Sequence, residues 1–267
     1  MQISLPMYNL PEMQAANSAF WAALRTELTR LGMVDLPVGL DFSRPPVPSA
    51  IEGDSYFTQV CGYPLQTIYI GQAVLLGAPV YTAAHCMGAT HAGVFVVRRD
   101  SRFQSLADLK GSAFVYNSRH SNSGMNLPRR ALAPLTAGQA YFSSIEETHS
   151  QPGNIERVAL GKTDATCVDC VTYAFFCRHR PELGALTRVL AVTPPSPSIP
   201  FVTSTQTPDD QQAALRAALR NVAHHPEWAD ARAGLMIEDI VPIEPSSYAI
   251  QLHYEREAET WGYPQLI

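Results

Sequence analysis

The sequence predicts an α/β protein of two lobes, each a mostly parallel sheet flanked by helices. Three observations predict it. Apolar runs of strand length alternate with amphipathic helical stretches, the pattern that buries a sheet under helices. The alternation comes in two sets, one before and one after about residue 90. A proline-rich return at 194–200 then leads into another apolar run at Phe201 and Val202, so the chain crosses twice between the sets. With 267 residues and 46% hydrophobic content, two cores of ordinary size are within reach.

The elements follow in order. Asn9 with Glu12 reads as a capping box, and Met13, Ala16, Phe20, Leu24, Leu28 and Leu31 recur at helical spacing up to Gly32, a helix signalled at both ends. Residues 34–40 are strand-like, 45–49 form a proline-rich loop, and 56–61 and 73–80 read as buried strands. The second set has strands at 93–97, 113–116, 142–147 and 165–169, with a helical turn at Leu106 and helices after Gly124, around Ile155 and Val158, and from Cys170. Gly161 stops the second of these helices. After a strand at 188–192, Asp209 and Asp210 open a helix lined by Leu215, Leu219 and Val222. A helical tail over 246–261 is expected to pack back on the first lobe. The expected division is 1–88 with 187–267 as lobe one, and 89–186 as lobe two.

Charge narrows the functional classes. Only 16% of residues are charged and the formal net charge is −5, which leaves no basic footprint for nucleic acid. Anion binding must then come from locally oriented dipoles. The first basic residue is Arg25 and no apolar run approaches a membrane span, so neither a secretory leader nor a spanning segment is read here. The expectation is a cytoplasmic protein as written, or a periplasmic one whose leader has been removed. Five cysteines, an odd number, argue against a disulfide framework and mildly for a reducing compartment.

Chemistry concentrates where the strand at 113–116 gives way to a helical pattern. Ser121-Asn122-Ser123-Gly124 at this junction aims backbone N–H groups and small polar side chains at one point, aided by the positive end of the helix dipole. Thirty residues on come Ile155-x-x-Val158-x-x-Gly161-x-x-Asp164-Ala165 and then Val168-Asp169-Cys170-Val171-Thr172-Tyr173. With Ser105-Leu106-Ala107-Asp108-Leu109-Lys110-Gly111 and Pro128, these pieces resemble the substrate-binding proteins of phosphate, phosphite and phosphonate ABC transporters. Ser4-Leu5-Pro6-Met7-Tyr8 and Gln59-Val60-Cys61-Gly62 look like a short branch of that family. The resemblance implies a type II periplasmic-binding-protein-like fold with two crossover hinge strands, a small oxyanion or phosphorus-containing ligand closed between the lobes, and an ABC transporter permease as partner. It also implies that residues 121–124 hold the ligand's oxygens. Asn122 stands where that loop usually carries Thr.

In a two-lobed α/β chain, ligands bind at loops beyond the carboxyl ends of strands. The expected ligand-binding residues are Met7, Tyr8, Gln59 and Gly62 from the first lobe, and Ser118, Ser121, Asn122, Ser123, Gly124, Thr148, His149, Asp169 and Tyr173 from the second. A micromolar dissociation constant needs about 8 kcal/mol and a charge-assisted hydrogen bond supplies roughly 1.5–3 kcal/mol, so about four to six donors are required. Ser121, Ser123 and the N–H groups of Ser123 and Gly124 are the expected majority. His149 resembles the family's Gly-Ser-His histidine, against the plainer reading of a surface histidine in a polar loop. Asp169 orients a ligand group or simply caps a helix. Pro128 suggests a kink, and Arg129 and Arg130 a solvated face. Cys167-x-x-Cys170 lacks the second ligand pair that zinc needs and is expected to be buried; no metal or cofactor is expected. Two alternatives use the same fold: an enzyme acting on a small metabolite through Cys61, Cys86 or His149, and a cytoplasmic ligand sensor.

Overall fold

The computed structural model describes residues 1–45 and 51–267. The first part of the chain forms β1 (Gln2–Ile3), α1 (Gln14–Arg30), β2 (Ser55–Gln59), α2 (Gly62–Thr67), β3 (Ala73–Tyr81), β4 (Thr90–His91), β5 (Gly93–Arg98), β6 (Ala113–Tyr116), α3 (Leu127–Thr136), β7 (Ser144–Glu147), α4 (Gln151–Ala159) and β8 (Ala165–Asp169). Then follow α5 (Cys170–His179), α6 (Pro181–Ala185), β9 (Thr187–Val192), β10 (Ser196–Pro197), β11 (Phe201–Ser204), α7 (Asp209–His224), α8 (Ala229–Gly234), β12 (Ile237–Val241) and α9 (Ala249–Thr260). The chain divides into two compact units. The first takes residues 1–82, 87–90 and 197–247, and the second takes 83–86, 91–196 and 248–267.

The first unit is built on a sheet of order β1-β2-β11-β3-β12. Its core is aromatic: Phe57 stacks on Phe201 at 5.3 Å, Phe20 on Phe201 at 5.5 Å and Trp21 on Phe57 at 6.0 Å. Helix α1 supplies Phe20, Trp21, Leu24 and Leu28 from one face, all buried, and each such side chain removed from water contributes roughly 1.5–3 kcal/mol. The second unit carries a sheet of order β7-β6-β8-β5-β9. Val94, Phe95, Val96 and Val97 of β5 are all fully buried, which explains why that strand is an unbroken apolar run rather than an alternating one.

Both sheets are mixed, which corrects the expected mostly parallel pairing. In the first, β1–β2 is parallel whereas β11 runs antiparallel to β2 and β3, as does β12 to β3. In the second, β6 is parallel to β7 and β8 whereas β5 is antiparallel to β8 and β9. The strands by which the chain enters and leaves this unit, β5 and β9, are neighbours and run in opposite directions.

That pairing also moves the division of the chain. Strand β9 hydrogen-bonds to β5, with Arg98 opposite Thr187, so it belongs with the second sheet rather than with 187–267 in the first. The tail likewise packs on α3 of the second unit: Arg129 donates to the Pro264 carbonyl at 2.6 Å and Asn126 to the Gln251 carbonyl at 2.9 Å. Residues 34–40 form no strand. Glu12 sits in a short 3₁₀ turn at Pro11–Met13, while the Asn9 amide donates to the Phe42 carbonyl at 3.1 Å instead of capping. Of the predicted loop at 45–49, residues 46–49 lie outside the described residues. Among the described residues no helix is long and apolar enough to cross a membrane.

Candidate functional site

After β6 the chain turns at Ser121 into one wide helical turn, Asn122–Asn126, which continues directly as α3. The Ser121 carbonyl accepts from both the Met125 and Asn126 N–H groups at 3.2 and 3.1 Å, a widened i→i+5 geometry of the kind found at functional sites. Pro128 falls at the second position of α3, directly after the wide turn. Every residue from Ser121 to Asn126 is buried. A Cβ at Gly124 would lie 1.9 Å from the Asn117 Oδ1, which has no hydrogen-bond partner among the described residues, so any larger residue there displaces the Asn117 side chain.

The donors of this turn differ from those expected. The Gly124 N–H is taken by the Ser121 Oγ at 3.0 Å, the ordinary cap bond. Left without an acceptor among the described residues are the N–H groups of Asn122 and Ser123, the first-turn donors a helix cannot satisfy internally. The Asn122 side chain is structural: its Nδ2 donates to Ser196 Oγ at 2.8 Å and its Oδ1 accepts from Asn126 at 3.1 Å. Behind it, Arg129 is buried rather than solvated, donating to Asn126 Oδ1 at 2.7 Å and lying 3.3 Å from Glu255. Arg130 is half-buried and pairs with Glu257.

Ser123 connects this turn to the end of β8. Its Oγ accepts from Gln151 Nε2 at 2.9 Å, and the Gln151 Oε1 accepts from the Asp169 N–H at 2.8 Å. The Ser123 hydroxyl proton is therefore free to point elsewhere. Asp169 is a helix cap: Oδ1 accepts from the Val171 and Thr172 N–H groups at 2.7 and 3.4 Å. Its Oδ2 pairs with Nδ1 of His91, and both side chains are 2% exposed. Burial pushes the His91 imidazolium down, but the charge and hydrogen bond of Asp169 together outweigh it and hold the imidazole above its ordinary value.

Ser118 is buried beside the turn, its carbonyl accepting from the Ser121 N–H and its Oγ from His120 N–H. Thr148 is half-buried, its hydroxyl within hydrogen-bonding reach of the Tyr116 carbonyl and of the Asn154 side chain. The His149 side chain is exposed on a left-handed backbone (φ 62°) whose N–H bonds to the Asn117 carbonyl at 2.8 Å. Tyr173 leaves the group. Its hydroxyl lies 3.0 Å from Thr187 Oγ1, and Thr187 pairs with Arg98, five strand residues or roughly 16 Å from the Gly93–Asp169 end. In the first unit, Tyr8 is buried edge-on to Tyr81 at 5.6 Å and Gln59 Nε2 reaches Tyr81 Oη at 3.4 Å. Gly62 starts α2 there and Met7 is half-buried.

Sequence reasoning missed four participants. They are His91, Gln151, Asn117 and Ser196, none of them singled out by a local motif. Each partners a residue 7 to 78 positions away, and no spacing rule links such pairs.

The family model for ABC transporter, phosphonate, periplasmic substrate-binding protein matches residues 72–248. No curated protein is significantly similar to the chain. Among solved structures, a binding protein component of an ABC phosphonate transporter from Pseudomonas aeruginosa is 15% identical, covering 98% of this chain and 87% of that one at a TM-score of 0.76. PhnD1 from Prochlorococcus marinus, in complex with methylphosphonate, is 13% identical, covering 97% and 98% at a TM-score of 0.74. A Xanthomonas citri protein bound to ATP is 16% identical, with 97% of each chain covered at a TM-score of 0.64. These likenesses show an α/β, two-lobed, type II periplasmic-binding-protein fold. The family itself consists of transporter solute-binding proteins rather than enzymes. With that match extending over more than half of its length, the chain belongs to the phosphonate substrate-binding proteins of ABC transporters.

Proposed function

We propose that the protein binds a small phosphonate or phosphate-like anion on the turn at Ser121–Gly124 and hands it to an ABC transporter permease, in the periplasmic setting of its family. The observation that carries this reading is the pair of unpartnered N–H groups of Asn122 and Ser123 at the start of a buried helix. The Ser121 and Ser123 hydroxyls complete the donor set, since each Oγ accepts one bond and keeps its proton. Four donors at roughly 1.5–3 kcal/mol each amount to roughly 6–12 kcal/mol, which brackets the ~8 kcal/mol of a micromolar complex. No lysine or arginine is among them, so oriented dipoles rather than net charge select the anion. Tyr8, Gln59, Gly62 and Met7 are the proposed ligand contacts of the first unit. Tyr8 and Gln59, together with Tyr81, bring aromatic surface and an amide suited to an organic substituent.

Isothermal titration with methylphosphonate, phosphate, phosphite and sulfate tests this directly. Micromolar binding of at least one phosphorus oxyanion is expected, weakened at least tenfold by Ser123→Ala while the variant keeps the wild-type far-ultraviolet circular dichroism. A flat response to all four anions contradicts the assignment.

A further inference from the structure

We propose that Cys86 and Cys170 are a reversible dithiol–disulfide pair that staples the crossing segment 83–91 to the first residue of α5. Their sulfurs lie 3.5 Å apart although the residues are 84 positions apart in sequence, so a closure of roughly 1.5 Å brings them to bonding distance. None of the five cysteines of the chain forms a disulfide. The remaining three are Cys61 and Cys167, both buried, and Cys177.

The surroundings divide the roles of the two sulfurs. Cys86 is half-buried, on a segment turned by the left-handed His85 (φ 69°), and is the thiol an external reagent can reach. Cys170 is 2% exposed and its sulfur accepts from the Ala92 N–H at 3.5 Å. The contact with Cys86, burial and the neighbouring Asp169 carboxylate all hold the Cys170 thiol protonated well above its ordinary range. Cys86 is accordingly the attacking group and Cys170 the resolving one.

The oxidant required is a small or protein disulfide. The Cys86 thiolate attacks one of its sulfurs, breaking the oxidant's S–S bond and releasing one thiol, with a mixed disulfide left on Cys86. Cys170 Sγ then attacks Cys86 Sγ, releasing the second thiol, which carries away the Cys170 proton. Two protein thiols are oxidised by two electrons and one disulfide is reduced to two thiols. The product ties the chain between β3 and β5 to the residue beside Asp169, in the second unit's own sheet. An oxidising compartment favours the closed form and a reducing one the open form.

The intact protein, equilibrated in oxidised glutathione and digested under non-reducing conditions, tests the pair without reference to any ligand. Expected are a loss of two of the five thiols, a 2 Da fall in mass, a cross-linked peptide joining residues 86 and 170, and reversal by dithiothreitol. Cys86→Ser and, separately, Cys170→Ala should each abolish the cross-link while folding normally by circular dichroism. Hydrogen exchange in 83–91 should slow in the oxidised wild type only. Five thiols persisting, a cross-link through Cys61, Cys167 or Cys177, or glutathione retained on Cys86 without resolution would each overturn the proposal. A failed anion titration leaves it untouched, as its own failure leaves the anion assignment.

Discussion

At the scale of single residues, Gly124 and His91 bear the most testable consequences. A methyl group at position 124 has no room against the Asn117 side chain, and relieving that overlap shifts the turn that presents the Asn122 and Ser123 N–H groups. Gly124→Ala should cost about 1–3 kcal/mol in unfolding free energy and weaken methylphosphonate binding by more than tenfold; combining it with Asn117→Ala should recover part of both. An unchanged affinity in the single variant would remove the turn from the site. His91 is held protonated by Asp169, so its contribution is complete below the unfolded-state value of about 6.5 and is lost as pH rises through the higher folded value. Wild-type unfolding free energy should therefore fall between neutral and alkaline pH, and His91→Ala should lose about 3–5 kcal/mol at pH 6 together with that slope. The sequence made Ser121, Ser123 and Asp169 visible because caps and turns have local signatures. It hid His91 and Gln151 because their meaning lies in partners brought close only by the fold.

At the scale of elements, the buried Glu27 of α1 joins three segments of the first unit. It accepts from Arg30 of its own helix at 2.5 Å, from Asn221 of α7 at 2.8 Å and from Trp228 at 2.9 Å. Burial raises its carboxyl, but the hydrogen bonds from Trp228, Asn221 and Arg30 prevail and hold it below its ordinary value. Its stabilisation is present above the unfolded value and disappears as pH falls through the lower folded one. Glu27→Gln should cost about 1–3 kcal/mol at neutral pH, and denaturant titrations should show the variant and wild type converging below about pH 4. Persistence of the full difference at pH 3 would contradict this account. The strands 113–116 and 165–169 were legible to the residue, since continuous apolar runs bounded by turn residues admit few other readings. Residues 34–40 misled because Leu36, Val38 and Leu40 alternate like a strand, whereas Val38 is 79% exposed and finds no partner strand. Pairing direction stayed hidden as well, for an apolar run does not record which way its neighbour runs.

For the whole molecule, the proposed site has an acidic chain gather its anion-binding set from neutral donors alone, so that affinity depends on the orientation of a few backbone groups. Two-unit architecture was readable from the doubled strand–helix alternation and the proline-rich return. Where the units divide was not, because β9 and α9 follow tertiary pairing rather than sequence order. The central claim is that the Asn122 and Ser123 N–H groups hold the ligand's oxygens while that of Gly124 remains on Ser121. Through-hydrogen-bond coupling between phosphorus and amide nitrogen, measured by NMR on the labelled protein with methylphosphonate, tests it most directly. Couplings to Asn122 and Ser123 and none to Gly124 are expected; couplings confined to amides elsewhere would overturn the assignment.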